Sequence, residues 1–295
     1  MIRSPHLRDP FVLARPAEGG YYLFGSTDED IWRGPGRGFD AYVGADLESW
    51  EGPYPVFRPE PDFWGKRNFW APEVHEYRGA FYMFASFMAE GRRRATQILR
   101  AEEPTGPYRV HSPEPVTPPE WECLDGTFFL DAAGDPWIVF CHEWVQIVDG
   151  EICAQRLAPD LTKAMGEPEL LFRASEAAWS RPPRRKDGSM NPLSRVTDGP
   201  FVHKLASGGL VMLWSSIAEK GYAMGWAFSK DGILGPWIQS EEPIIDADGG
   251  HGMLFRDFEG ALCLTYHSPN DTPNERFRYR RVVETGNGLA LADGR

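Results

Sequence analysis

The sequence predicts an all-β fold, a five-bladed β-propeller with four-stranded antiparallel blades around a central channel, and three observations carry that reading. Short apolar runs are punctuated by turn dipeptides in a 295-residue chain whose 31 glycines and 26 prolines both exceed average usage. A polar residue with small or proline neighbours leads into a short apolar strand five times over. Each of those strands is followed, after a turn, by a second and more apolar one, as expected of strands sandwiched between blades. No stretch shows the periodicity of an amphipathic helix, and all-β folds of this length are often one domain, so residues 1–295 read as a single propeller.

The first leader is Arg8-Asp9-Pro10-Phe11-Val12-Leu13, with a second strand over residues 21–26 and an outer turn over 46–53. Ala71-Pro72-Glu73-Val74-His75 is the second, followed by a strand over 80–86 and the turn Thr105-Gly106-Pro107-Tyr108. The third, Leu124-Asp125-Gly126-Thr127-Phe128-Phe129, precedes a strand over 135–141. The fourth, Thr197-Asp198-Gly199-Pro200-Phe201-Val202, precedes a strand over 209–215 and the turn Leu234-Gly235-Pro236-Trp237. Gly250-His251-Gly252-Met253-Leu254-Phe255 is the fifth, with its second strand over 261–267. The leaders recur at about the spacing of a four-stranded blade plus loops.

Radial stacking hides each blade's faces against its neighbours and runs the innermost strands along one axis. Asp9, Glu73, Asp125, Asp198 and His251 then start those strands and converge at one mouth of the channel. One acid beside glycine or proline is an ordinary turn residue. Five ionisable groups in register are costly to ionise together, which points to a functional site.

Composition narrows the partner. A formal net charge of -12 disfavours nucleic acid, which needs a concentrated basic face, and the basic stretches Arg92-Arg93-Arg94 and 181–186 read as solvated loops. Cys123, Cys141, Cys153 and Cys263 have no CxxC spacing and read as buried free thiols in a reducing compartment. No apolar run approaches a membrane span and residues 1–10 lack a signal pattern, so the expectation is a cytoplasmic protein without membrane or nucleic-acid partners.

Carboxyls facing each other across a cleft suit glycosidic cleavage, in which one acid protonates the leaving oxygen and another activates water or attacks the anomeric carbon. Aromatic side chains at the same mouth would stack on sugar rings: Trp70 precedes the second leader, Trp121 approaches the third, and Trp144 and Trp214 close second strands. The expected partner is an oligosaccharide or polysaccharide.

Asp9 in Arg8-Asp9-Pro10, Trp70-Ala71-Pro72-Glu73-Val74, Asp125 in its Leu-Asp-Gly strand, Asp198 before Gly199-Pro200, and His251 in Asp248-Gly249-Gly250-His251-Gly252-Met253 together resemble glycoside hydrolase family 43. The resemblance covers nearly the whole chain. It implies a five-bladed propeller and inverting hydrolysis of arabinosides, xylosides or galactosides. By position, Asp9 matches the general base and Asp125 the acid that tunes and orients its partner. His251 matches an axial histidine that often contacts a water-ligated calcium ion, and Glu73 and His142 join the tryptophans as substrate-binding candidates. The family's general acid is usually a glutamate before Gly-Pro. Here Asp198 holds that slot, shorter by one carbon or roughly 1.5 Å, and Glu143, at the end of a second strand, is its rival. The strings Cys141-His142-Glu143-Trp144, Thr197-Asp198-Gly199-Pro200-Phe201 and Trp214-Ser215-Ser216 resemble the α-L-arabinofuranosidase-like members. β-Xylosidase or galactosidase activity, a non-catalytic sugar-binding propeller, and a phosphorylase with a cationic phosphate site are the alternatives.

Overall fold

The computed structural model describes residues 1–184 and 187–292. It contains five four-stranded antiparallel sheets, each made from consecutive strands. Blade 1 is β1 (Arg8–Arg15), β2 (Gly20–Ser26), β3 (Phe39–Gly44) and β4 (Glu51–Phe57). Blade 2 is β5 (Arg67–Tyr77), β6 (Ala80–Ala89), β7 (Arg92–Ala101) and β8 (Arg109–Val110). Blade 3 is β9 (Cys123–Leu130), β10 (Pro136–His142), β11 (Glu151–Leu157) and β12 (Ala164–Arg173), with a one-turn helix α1 (Trp144–Ile147) after its second strand. Blade 4 is β13 (Asp198–Lys204), β14 (Leu210–Ala218), β15 (Gly221–Ser229) and β16 (Ile238–Gln239). Blade 5 is β17 (Leu254–Arg256), β18 (Leu262–Ser268), β19 (Arg276–Glu284) and β20 (Leu289–Leu291). The fold is a five-bladed β-propeller.

Strand alternation explains why second strands read as continuous apolar runs. In β10, Trp137, Val139 and Cys141 enter the cluster shared with blade 4, while Ile138 and Phe140 enter the cluster shared with blade 2. In β14, Met212 and Trp214 face blade 3, and Val211 and Leu213 face blade 5. Both faces are dry, so each fully buried large side chain contributes about 1.5–3 kcal/mol. The alternation also overturns one expectation: Trp214 is fully buried against Phe172 and Trp179 and donates its Nε1–H to Gln239, so it belongs to the inter-blade core and not to a sugar site.

Among the described residues, no strand is exchanged between blades 1 and 5. The ring is closed there by the N-terminal segment, whose Ile2 exchanges two backbone hydrogen bonds with Trp50 and whose Leu7 bonds the carbonyl of Glu275. The four cysteines are free and buried. The stretch Arg92 to Arg94 opens a strand instead of forming a loop, and Arg94 is buried. The other basic stretch runs partly outside the described residues, at Arg185 and Lys186.

Candidate active site

One backbone device is repeated at the axis. Asp9, Ala71, Asp125, Gly199 and His251 all take left-handed conformations, with φ of 57, 46, 56, 52 and 48°, and each is followed by proline or glycine. The residue before each one lies opposite a residue in the last few positions of its own second strand: Arg8 opposite Ser26, Trp70 opposite Ser86, Leu124 opposite Cys141, Asp198 opposite Ser215 and Gly250 opposite His267. These five pairs are structurally equivalent. Only glycine adopts this backbone freely, and for the others the conformation costs about 1–2 kcal/mol each. Such strain persists where the surroundings over-determine it.

The surroundings do so by passing a hydrogen bond from blade to blade. The hydroxyl of Ser26 accepts the amide of Ala71 at 2.9 Å, Ser86 that of Asp125 at 2.9 Å, and Ser215 that of His251 at 2.8 Å. His267 Nδ1 accepts the amide of Asp9 at 3.2 Å, closing the ring. Blade 3 has Cys141, a poor acceptor, at the equivalent position of its second strand, and there the amide of Gly199 turns to the Asp125 carboxylate at 3.0 Å.

These register positions enclose a cavity of about 400 Å³ whose wall includes Arg8, Asp9, Trp70, Asp125, Asp198 and His251. Glu143 and Trp144 approach from the end of β10, and Arg94 from β7. Asp9 Oδ1 and Asp125 Oδ2 lie 3.2 and 3.6 Å from the same nitrogen, His251 Nδ1. The two carboxyls are therefore separated by no more than the sum of those distances.

The carboxyls differ in electrostatics. Burial alone would raise the pKa of Asp9, but His251, Arg8, His267 and the Ser26 hydroxyl, which donates at 2.6 Å, outweigh it and hold Asp9 below the usual carboxylate value. Asp125 is pushed well above it by burial and by the charge of Asp9. Burial and Asp125 raise Asp198 to about 7, against His251, Arg8 and the Tyr222 hydroxyl that donates to Asp198 at 3.1 Å. Burial also lifts Glu143 to about 7, although Arg94 donates a short bond to it. One carboxylate is thus held ionised while three acids of the same cavity, Asp125, Asp198 and Glu143, are pushed above the ordinary carboxylate value, the contrast that acid–base cleavage requires.

Asp9, Asp125, Asp198, Glu143, Trp70, Trp144 and His251 therefore meet as the sequence implied. Glu73 does not. The equivalent position is Ala71, and Glu73 lies two residues further along β5, bonded to Thr127 and His75. His142 is also outside the cavity wall: it is stacked on Trp121 at 4.1 Å and tied to Glu151 and Gln146. The sequence reading missed Arg8, Asn68, Arg94, Trp32 and Tyr222. The first could have been found, since Arg8 occupies in blade 1 the place that Asp198 occupies in blade 4. His251 has its Nδ1 edge committed to Asp9 and Asp125, and among the described residues no group of three or more His, Cys, Asp or Glu is placed to hold a metal.

Comparison with known proteins agrees with the fold. The profile of glycosyl hydrolases family 43 matches residues 2–285. The extracellular exo-α-(1→5)-L-arabinofuranosidase ArbA of Cellvibrio japonicus (strain Ueda107) is 27% identical over 270 residues, covering 84% of this chain and 71% of that protein. Among solved structures, an endo-arabinase from Bacteroides thetaiotaomicron VPI-5482 is 40% identical and superposes with a TM-score of 0.88 over 96% of both chains. An α-L-arabinofuranosidase from Lactobacillus brevis, 18% identical, shares the fold with a TM-score of 0.75 over 98% of this chain and 94% of its own.

Proposed function

The chain belongs to glycosyl hydrolases family 43, and from that premise we propose that it is an α-L-arabinofuranosidase acting on arabinose-containing oligosaccharides, with Asp9 as general base and Asp198 as general acid. It is a glycoside hydrolase, and inversion is characteristic of its family. The arabinose assignment draws on the relatives named above, two of them arabinofuranosidases and one an endo-arabinase. The observation that carries the division of roles is the contrast within one cavity between an ionised Asp9 and an Asp198 raised to about 7.

In this reading Asp9 takes the proton of the attacking water while Asp198 gives its own to the leaving oxygen. Ser26 and His251 keep Asp9 charged and aimed. Asp125 spans two jobs, accepting the amide of Gly199 beside Asp198 and sharing His251 with Asp9, so it fixes the relative placement of base and acid.

Glu143 has a comparable pKa, yet protonating it removes the counterion of a buried guanidinium, a costly change. Asp198 faces a neutral phenol and carries no such penalty. Its Oδ2 accepts from Tyr222, which leaves Oδ1 for the proton. A calcium ion beside His251 would rest on waters, since among the described residues no group of three or more His, Cys, Asp or Glu is placed to ligate it.

The test uses leaving-group dependence. Asp198→Asn is expected to lose at least about 100-fold on natural arabino-oligosaccharides while sparing an aryl arabinofuranoside with a good phenolate leaving group. Glu143→Gln should slow both alike. The reverse pattern transfers the acid role to Glu143, and hydrolysis of aryl xyloside or galactoside alone overturns the arabinose assignment.

A further inference from the structure

Trp32 stands at the rim of the cavity on the loop between β2 and β3, 49% exposed. A half-exposed tryptophan is unremarkable on a loose loop, but this one is braced from three sides. Asp30 Oδ1 accepts the backbone amides of Trp32 and Arg33 at 3.1 and 3.0 Å. Blade 2 holds the same turn through Trp70 Nε1 and Asn68 Nδ2, which both donate to the carbonyl of Ile31, at 2.7 and 3.0 Å. From blade 5, Thr272 Oγ1 accepts the indole Nε1–H at 3.0 Å and itself donates to Glu275 Oε1. Glu275, fully buried, binds Arg8 at 3.0 Å, and the Arg8 guanidinium lies 5.1 Å from the centre of the Trp32 ring. Trp32, Thr272, Glu275 and Arg8 thus form a closed circuit, one member of which neighbours the proposed base.

Trp32 also lines a second depression of about 550 Å³, bordered by Asp28, Asp30, Arg33 and Arg37. It is therefore shared between the catalytic cavity and a charged, polar trough. Rigid aromatic surface flanked by planar polar side chains is what binds a sugar ring, and fixing it in advance removes an ordering cost from binding.

We propose that Trp32 is the stacking platform for a sugar unit next to those at the scissile bond, and that the substrate chain continues across it into the neighbouring trough. The site then favours oligosaccharides long enough to reach the trough over single glycosides. The inference rests on the glycosidase reading of the cavity and concerns the extent of the substrate.

The experiment compares Trp32→Ala, Trp32→Phe and Thr272→Val with the wild type on an aryl arabinofuranoside and on linear arabino-oligosaccharides of two to five units. For Trp32→Ala, kcat/KM on the longer oligosaccharides should fall about tenfold, the effect of losing one aromatic contact, chiefly through KM, and by clearly less on the aryl glycoside. Trp32→Phe should restore most of the loss, and Thr272→Val should give an intermediate loss with the same dependence on chain length. An unchanged chain-length profile in Trp32→Ala overturns the inference. So does an equal loss on every substrate, which would mean that Trp32 acts through Arg8 and Asp9 and not by contact. If the wild type turns over only xylo-oligosaccharides, the arabinose assignment fails, and the same comparison on that series decides the role of Trp32 separately.

Discussion

Asp198 and Glu143 are both carboxyls raised to about 7 in one cavity, and the consequences for activity and stability have opposite signs. For activity, kcat/KM should have a basic limb near pH 7 as Asp198 loses its proton and an acidic limb below the ordinary carboxylate value, where Asp9 gains one. A pH–rate profile of Glu143→Gln that keeps the basic limb, against one of Asp198→Asn on an aryl substrate that lacks it, would identify the acid. For stability, a carboxyl whose folded pKa lies above its unfolded value binds its proton more tightly in the native state. Its contribution is full below the unfolded value and is lost as pH rises through about 7. Removing the charge should then stabilise the protein in alkali: Asp198→Asn is expected to raise Tm at pH 8 by roughly 2–4 °C, the shift that about 1 kcal/mol produces in a domain near this size. An unchanged or lowered Tm at pH 8 would show that the ionised Asp198 is better compensated than its burial implies.

At the scale of the strand, the left-handed residue and its neighbour decide which side chains meet. The chain announced the blades because apolar second strands and turn dipeptides are local signals, and four of the five leaders fell within one residue of the true register. Glu73 is the acid nearest the right place, but the position belongs to Ala71, with φ of 46°, an apolar residue that a search for polar leaders passes over. Trp214 is expected at the mouth because its strand reaches it, and Ser215 does lie there, but the Trp214 side chain alternates onto the face that packs against blade 3. Trp32 was invisible because an irregular loop carries no periodicity. The device itself can be tested at Gly199. Its φ of +52° strains any side chain, and an added Cβ would sit 2.7 Å from His251 Cδ2. Gly208, at φ +95° with nothing within 4 Å of its Cβ, provides the control. Both alanine variants should lose about 1–2 kcal/mol to the backbone. Only Gly199→Ala should also collapse kcat, because His251 and the amide that holds Asp125 must both shift. Equal activity in the two variants would show that His251 can move without consequence.

For the ring as a whole, the seam between blades 1 and 5 is the one that no blade-to-blade connection of the chain spans. Other blade junctions are spanned by chain continuity, but blades 1 and 5 are joined by packing, by side-chain bonds such as those from Asp9 N–H to His267 and from Trp32 to Thr272, and by the segment over residues 1–7. That segment pairs Ile2 with Trp50 of blade 1 and Leu7 with the carbonyl of Glu275 of blade 5. Leu7 and Trp50 are fully buried, so the seam is apolar as well as hydrogen-bonded. His6 adds a contact, its Nε2 3.6 Å from Glu275 Oε2, an oxygen with no hydrogen-bond partner. The same Glu275 anchors Arg8, which lies beside Asp9, so closure of the ring and placement of the base share one residue. Deleting residues 1–6 should therefore lower Tm and kcat together, with the loss of hydrogen-exchange protection concentrated in β4, β18 and β19 and little change in blade 3. Leu7→Ala should reproduce the stability loss at about 2–5 kcal/mol, the usual cost of emptying a buried leucine site. A deletion variant that kept wild-type kcat despite a lowered Tm would separate the two roles, leaving ring closure to the segment and the placement of Asp9 to Arg8 and Glu275 alone.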